Sequence, residues 1–276
     1  MLKIIIILLI TFLFLFNPVL NEGFRDKICG ASKLNRVNIW DATKKKYGLK
    51  KASTIFPVSY SLPDELPKLL QDKNKHFILK KINGSFRIGL MLCDNKECLK
   101  KNYQNYDQAQ VFIQNPLLIN GFKFDIRVFL VSICGKGTYL YKNAYNVYTK
   151  EPFELNSMKT ENKINQVNTD DKHYDINNLP RKTYDLPYDM EKVWEKLAKK
   201  IRFVLNAVGD LCCPEDKDKI KLFGLDIELL DNLEPMIIEM NYRRPVLDFE
   251  EQWKKDIIDE MKQDVLNDNF QNWIKI

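Results

Sequence analysis

The chain has 276 residues, 45% of them hydrophobic, and carries 16 Phe, 12 Tyr and 4 Trp. That is enough apolar and aromatic material for one or two packed domains, and it excludes a chain disordered throughout. The 43 basic and 37 acidic residues leave a formal charge of +6, which is compatible with an acidic protein or nucleotide partner; no nucleic-acid partner is expected.

There is no repeat of fixed period and no Cys/His spacing of the zinc type. With 2 histidines and no nucleophile-elbow motif, Ser/His or Cys/His catalysis has little support. The six cysteines are Cys29, Cys93, Cys98, Cys134, Cys212 and Cys213. The chain is too long to be a disulfide scaffold, and mostly reduced thiols are expected.

Residues 1–27 read as a separate hydrophobic leader. Lys3 precedes the apolar run Ile4 to Phe16, and Asn17-Pro18 interrupts it. A short basic start and an apolar core fit a signal peptide or signal anchor, with membrane contact through residues 4–20. A full span takes roughly 20 apolar residues. The alternative is a buried first element of the globular domain.

Lys44 to Lys51 reads as a solvated basic run. Thr54 to Tyr60 predicts a short strand, Ser61-Leu62-Pro63-Asp64 a helix start, and Glu65 to Leu70 a short helix. Phe77 to Lys80 predicts a strand that ends in lysine. A loop with Gly84 and Gly89 follows, then the strand Ile88 to Leu92. This is either a plain hairpin or a flexible cover for nucleotide phosphates. Gln110 to Ile113 predicts another strand, closed by Asn115-Pro116.

In Gly121 to Val131, alternation puts Lys123, Asp125 and Arg127 on one face and Phe122, Phe124, Ile126, Val128 and Leu130 on the other. Lysine and arginine suit phosphate oxygens and aspartate suits sugar hydroxyls; an edge-strand row of ion pairs is the alternative. Thr138 to Tyr148 predicts a further aromatic strand. Residues 154–189 form a polar insert containing His173. Met190 to Val208 carries one apolar helical face, and Phe249, Trp253, Ile257, Met261 and Val265 repeat at helical spacing in the last helix.

Between these helices, Phe223 to Asn241 predicts a hairpin. Leu225, Ile227 and Leu229 share one face; Asp226 and Glu228 take the other. In the second strand Met236, Ile238 and Met240 fall together, with Glu239 and Asn241 opposite. A four-residue loop pairs Leu230 with Pro235 and sets Asp226 across from Glu239. Facing carboxylates repel, and a sheet tolerates them best around a cation. Asp, Glu and Asn oxygens suit Mg2+ or Mn2+. The alternative is an exposed acidic face.

The run Gln110 to Arg127 resembles the tubulin–tyrosine ligase-like family, as do Tyr139-Leu140-Tyr141-Lys142, Glu151-Pro152-Phe153, Phe223-Gly224-Leu225-Asp226 and Ile238-Glu239-Met240-Asn241. The resemblance covers about residues 33–268. It implies an α+β ATP-grasp fold over 28–276, with a central part 28–108 and a C-terminal part 109–276 carrying the insert. It also implies an ATP-dependent ligase that activates a carboxylate as an acyl phosphate and joins it to an amine. Glutamate, glycine or tyrosine would be added to tubulin or another acidic protein tail.

Carried over by residue, Lys80 meets phosphates, Gln110, Val111, Phe112 and Ile113 hold adenine, and Lys123, Asp125 and Thr160 contact nucleotide. Asp226, Glu239 and Asn241 hold magnesium; Arg127, Lys123 and Glu239 serve catalysis. The chain departs from the family at Val147, where arginine is usual, and at Met158-Lys159-Thr160-Glu161, where only Thr160 matches. It also has one extra residue in Tyr242-Arg243-Arg244-Pro245. A catalytically degenerate nucleotide- or tubulin-binding module is the alternative implied by those departures. By resemblance the protein is cytoplasmic or cytoskeletal; by its leader it is membrane-anchored or secretory.

Overall fold

A computed structural model describes residues 36–82, 89–164, 179–209, 211–212, 220–242 and 252–276. The leader, Gly84, Ile88, His173, Arg243 to Pro245 and Phe249 lie outside the described residues. The fold is α+β, with two antiparallel sheets and flanking helices.

The smaller sheet has the order β1-β4-β2-β3: β1 (Ser59–Ser61), β4 (Gln108–Val111), β2 (Phe77–Lys80) and β3 (Leu90–Cys93). Phe77, Leu79 and Ala109 bury one face of it with Leu69 of α3 (Leu66–Gln71) and Leu99 of α4 (Lys96–Asn102). The expected strand from Thr54 shrinks to β1. Ile55 and Phe56 are instead buried where the chain leaves α1 (Arg36–Tyr47) and α2 (Leu49–Ala52), and both amides donate to the Ala52 carbonyl. The expected strand through Ile113 ends at Val111.

The larger sheet runs β10-β7-β6-β8-β9, with β5 (Leu118–Ile119) paired to β6. Its long members are β6 (Phe122–Ile133), β7 (Gly137–Tyr148), β8 (Ile220–Leu229) and β9 (Pro235–Tyr242). Asn120-Gly121 joins β5 to β6 with φ of 51° and 85°. Such a two-residue turn needs positive φ at both positions, which Asn and Gly adopt most readily. β10 (Trp273–Lys275) was not expected; it pairs with β7.

Alternation then sorts the residues. Phe124, Ile126, Val128 and Leu130 join Leu225, Ile227, Leu229 and Ile237 against Val193, Trp194, Leu197 and Ile201 of α5 (Met190–Val208) and Trp40 of α1. Each large apolar side chain buried there contributes roughly 1.5–3 kcal/mol. The opposite face carries Phe129, Val131 and Ile133, which pack with Tyr141, Tyr145 and Trp273 under Ile257 and Met261 of α6 (Gln252–Leu266). These odd-numbered β6 residues share a face with Lys123, Asp125 and Arg127. One face of one strand is therefore apolar where α6 covers it and charged beyond.

The link from β4 ties the two sheets together. Leu117 donates to the Leu229 carbonyl at 2.7 Å and Asp231 to the Asn115 carbonyl at 3.0 Å. Residues 112–117 thus lie along the β8–β9 turn.

Two expectations are corrected here. The hairpin does pair Asp226 with Glu239, but Leu229, not Leu230, faces Pro235, and one extra residue enters the second strand between Ile237 and Glu239. That bulge turns Ile237 rather than Ile238 into the core beside Met240, and sets Met236 across from Glu228 on the acid face. The four described cysteines are not thiols: Cys93 pairs with Cys98 and Cys134 with Cys212, while Cys29 and Cys213 lie outside the described residues. Among the described residues, no helix is long and apolar enough to cross a membrane.

Candidate functional site

The register of the larger sheet aligns two rows of polar side chains. Asp125 of β6 faces Glu228 of β8, and one step along Arg127 faces Asp226, which in turn faces Glu239 of β9. Asn241 lies one step further, across from Gly224. Lys123, Asp125, Arg127, Asp226, Glu239 and Asn241 thus come together on one face. Glu228, which alternation puts on the acid face but which was not among the expected site residues, joins them.

Lys123 is 4% exposed, and its Nζ lies 3.0 Å from Asp125 Oδ1 and 2.9 Å from Glu228 Oε2. Burial pulls the ammonium pKa down, but the two carboxylates outweigh it and hold Lys123 charged. Glu228 is equally buried, and its Oε1 has no hydrogen-bond partner. Burial, with Asp125 close by, pushes its carboxyl up to about 7 against the pull of Lys123.

Arg127 grips Asp226 with two donors, Nε to Oδ1 at 2.5 Å and Nη2 to Oδ2 at 3.1 Å. Such a fork fixes both planes. Burial still lifts Asp226 to about 6: Arg127 opposes the rise and Glu239 adds to it. Asn241 Nδ2 donates to Glu239 Oε1 at 2.6 Å and to Asp226 Oδ2 at 3.4 Å. Its amide oxygen is then what it can offer a cation.

Among the described residues, no group of three or more His, Cys, Asp or Glu side chains is arranged to hold a metal. The candidate set is two opposed carboxylates and an amide. These hard oxygen donors fit Mg2+ or Mn2+ when a ligand's own oxygens complete the shell.

The remaining expected residues sit elsewhere. Lys80 and Gln110 are buried together in the smaller sheet, Nζ to Oε1 at 2.6 Å, and Gln110 Nε2 donates to Ser59 Oγ at 3.2 Å. Val111 and Ile113 are half-buried, whereas Phe112 is buried and stacks on Phe153 with ring centroids 6.2 Å apart. Thr160 lies exposed on a single turn, its hydroxyl donating to Glu161 of the same turn. Three residues of this region escaped sequence reasoning. Lys163 is buried with its Nζ 5.0 Å from the Phe112 ring centroid, and Asn162 is buried with an unpartnered Oδ1. Tyr145 sits across from Arg127. No spacing signal marks the first two, and aromatic alternation alone marks Tyr145 as core.

The sequence profile of the Tubulin-tyrosine ligase family matches residues 24–274. Among curated proteins, the chain is similar to Probable tubulin polyglutamylase TTLL2 of Homo sapiens, 23% identical over 67% of this chain and 36% of the relative. Tubulin polyglutamylase ttll6 of Danio rerio is 23% identical over 70% of this chain and 28% of its own length. Tubulin polyglutamylase TTLL7 of Homo sapiens is 36% identical over 83 residues, 9% of its own length. The chain spans about a third of the length of the first two relatives.

Proposed function

Because the chain belongs to the tubulin-tyrosine ligase family, we propose that it is an ATP-dependent carboxylate–amine ligase that adds an amino acid to an acidic protein tail. The observation that supports this best is the shared face: Lys123, Asp125 and Arg127 lie beside Asp226, Glu239 and Asn241 in adjoining strands. Cations and oxygen donors side by side suit a metal-bound triphosphate. Tubulin, named in the relatives, is the first acceptor to test, with glutamate, glycine or tyrosine as the amino acid.

In this reading Lys80 and Lys123 bind phosphate oxygens, Asp125 holds ribose hydroxyls, and Gln110 to Ile113 hold the base. Thr160 is a further nucleotide contact. Arg127, fixed by its fork to Asp226, offers positive charge to the phosphoryl group as the acceptor carboxylate is activated. Asp226, Glu239 and Asn241 would hold Mg2+ or Mn2+, which when bound neutralises phosphate charge. An amine then attacks the acyl phosphate, forming the amide and releasing phosphate.

A second reading is a nucleotide- or tubulin-binding module without turnover. It is motivated by Val147, an apolar neighbour of Asp125 in the register. Purified protein with Mg-ATP, a labelled amino acid and either tubulin or an acidic tail peptide separates the two. Incorporation that needs ATP and disappears in Asp226→Asn supports the ligase. ATP binding without incorporation supports the module. No ATP binding at all removes the ligase and the nucleotide-binding form of the module.

A further inference from the structure

All four described cysteines are paired. Cys93 closes the end of β3 and Cys98 lies in α4, five positions on, with Cα atoms 5.5 Å apart. Cys134 follows β6 and Cys212 lies beyond α5, 78 positions away, again with Cα atoms 5.5 Å apart. Both separations fall in the middle of the disulfide range. Cys93 and Cys134 are each 1% exposed.

Two other uses of paired cysteines do not fit. Neither pair belongs to a group able to hold a metal among the described residues. Neither has the Cys-x-x-Cys spacing of thiol–disulfide exchange sites, and a buried sulfur is a poor target for an incoming thiolate. What remains is stapling. Cys93–Cys98 holds the smaller sheet to its helix; Cys134–Cys212 holds the larger sheet to the segment after α5. Structural disulfides persist where the surroundings are oxidising, whereas cytosolic thiol pools keep such pairs open. The sequence carries a matching address, Lys3 and the apolar run Ile4 to Phe16.

We infer that this domain works with Cys93–Cys98 and Cys134–Cys212 closed, in an oxidising compartment entered by way of the leader. This claim does not rest on the ligase reading. Each bond forms by exchange: two thiols give up two protons and two electrons to the disulfide of a dithiol oxidoreductase, which leaves as the dithiol.

The test uses the full chain, tagged at its C-terminus and expressed in eukaryotic cells. Thiols are trapped under denaturing conditions with a maleimide-coupled polyethylene glycol, with and without prior reduction. Protease is added to membrane vesicles with and without detergent. The expected result is at least four extra modified thiols after reduction, those of Cys93, Cys98, Cys134 and Cys212 among them, and a tag digested only once detergent is present. Cys93→Ser/Cys98→Ser and Cys134→Ser/Cys212→Ser should each remove two of these four. If either variant fails to fold, peptide mass mapping of the unreduced protein assigns the pairs instead. The same four thiols reacting without reduction, or a tag digested without detergent, overturns the inference. A thermal shift with Mg-ATP on the same oxidised protein reports on the ligase reading separately.

Discussion

Lys123→Met is the sharpest perturbation of the charged face. The lysine lies within 3.0 Å of two carboxylates, and both it and Glu228 are almost wholly buried. Removing it leaves Glu228 and Asp125 beside each other without a cation, and breaking a buried pair in this way costs about 3–5 kcal/mol. The cost depends on pH. Unfolded Glu228 releases its proton near the ordinary glutamate value of 4.5, while in the fold burial and Asp125 hold that proton up to about 7. The folded state therefore binds more protons between these values, and stability falls as pH rises through them. Without Lys123 the carboxyl holds its proton to still higher pH. The variant is then expected to lose about 1 kcal/mol more at pH 8 than at pH 6, since each pH unit is worth about 1.4 kcal/mol per proton. Urea denaturation of wild type, Lys123→Met and Lys123→Met/Glu228→Gln at both pH values measures this. The double variant should recover more than half of the loss at pH 8. An equal loss at both pH values, or no recovery with Glu228→Gln, would refute the electrostatic account.

Three further outcomes are expected. Mg-ATP should raise the melting temperature more at pH 8 than at pH 5.5, because Asp226 sits near 6 and must shed its proton to bind a cation; a shift that shrinks as pH rises speaks against Asp226 as a ligand. Cys134→Ser/Cys212→Ser should lose up to about 4.5 kcal/mol by the loop-entropy relation, read by denaturant midpoint under non-reducing conditions, whereas the short Cys93–Cys98 loop should matter about half as much. Val147→Arg, placed beside Asp125, should raise amino-acid incorporation by about 10²-fold if a missing transition-state cation limits turnover; an unchanged rate shows that it does not.

Much of this was legible in the residues. Strict alternation in Phe122 to Leu130 fixed which side chains share a face, and β6 keeps that pattern. The stripe from Met190 to Val208 marked α5 to the residue. Asp226 and Glu239 were correctly set opposite each other, but for an incomplete reason. A longer loop and a bulge, each shifting register by one, cancel, and period-two counting sees neither. The displaced pair, Ile237 in the core and Met236 on the acid face, is where that blindness appears. Glu228 was placed on the right face but not linked to Lys123, because the two are 105 positions apart and meet only through the β6–β8 register. The Cys134–Cys212 disulfide was hidden for the same reason: tertiary structure and not spacing brings the two together.

The central claim is that the charged face of β6, β8 and β9 holds a metal-bound nucleotide. The most direct measurement is isothermal titration of ATP with Mg2+ into wild type and into Asp226→Ala/Glu239→Ala. The account predicts saturable binding that needs Mg2+ in the wild type and at least a tenfold weaker affinity in a variant that still melts cooperatively. Equal affinities in the two proteins, or binding indifferent to Mg2+, would contradict it.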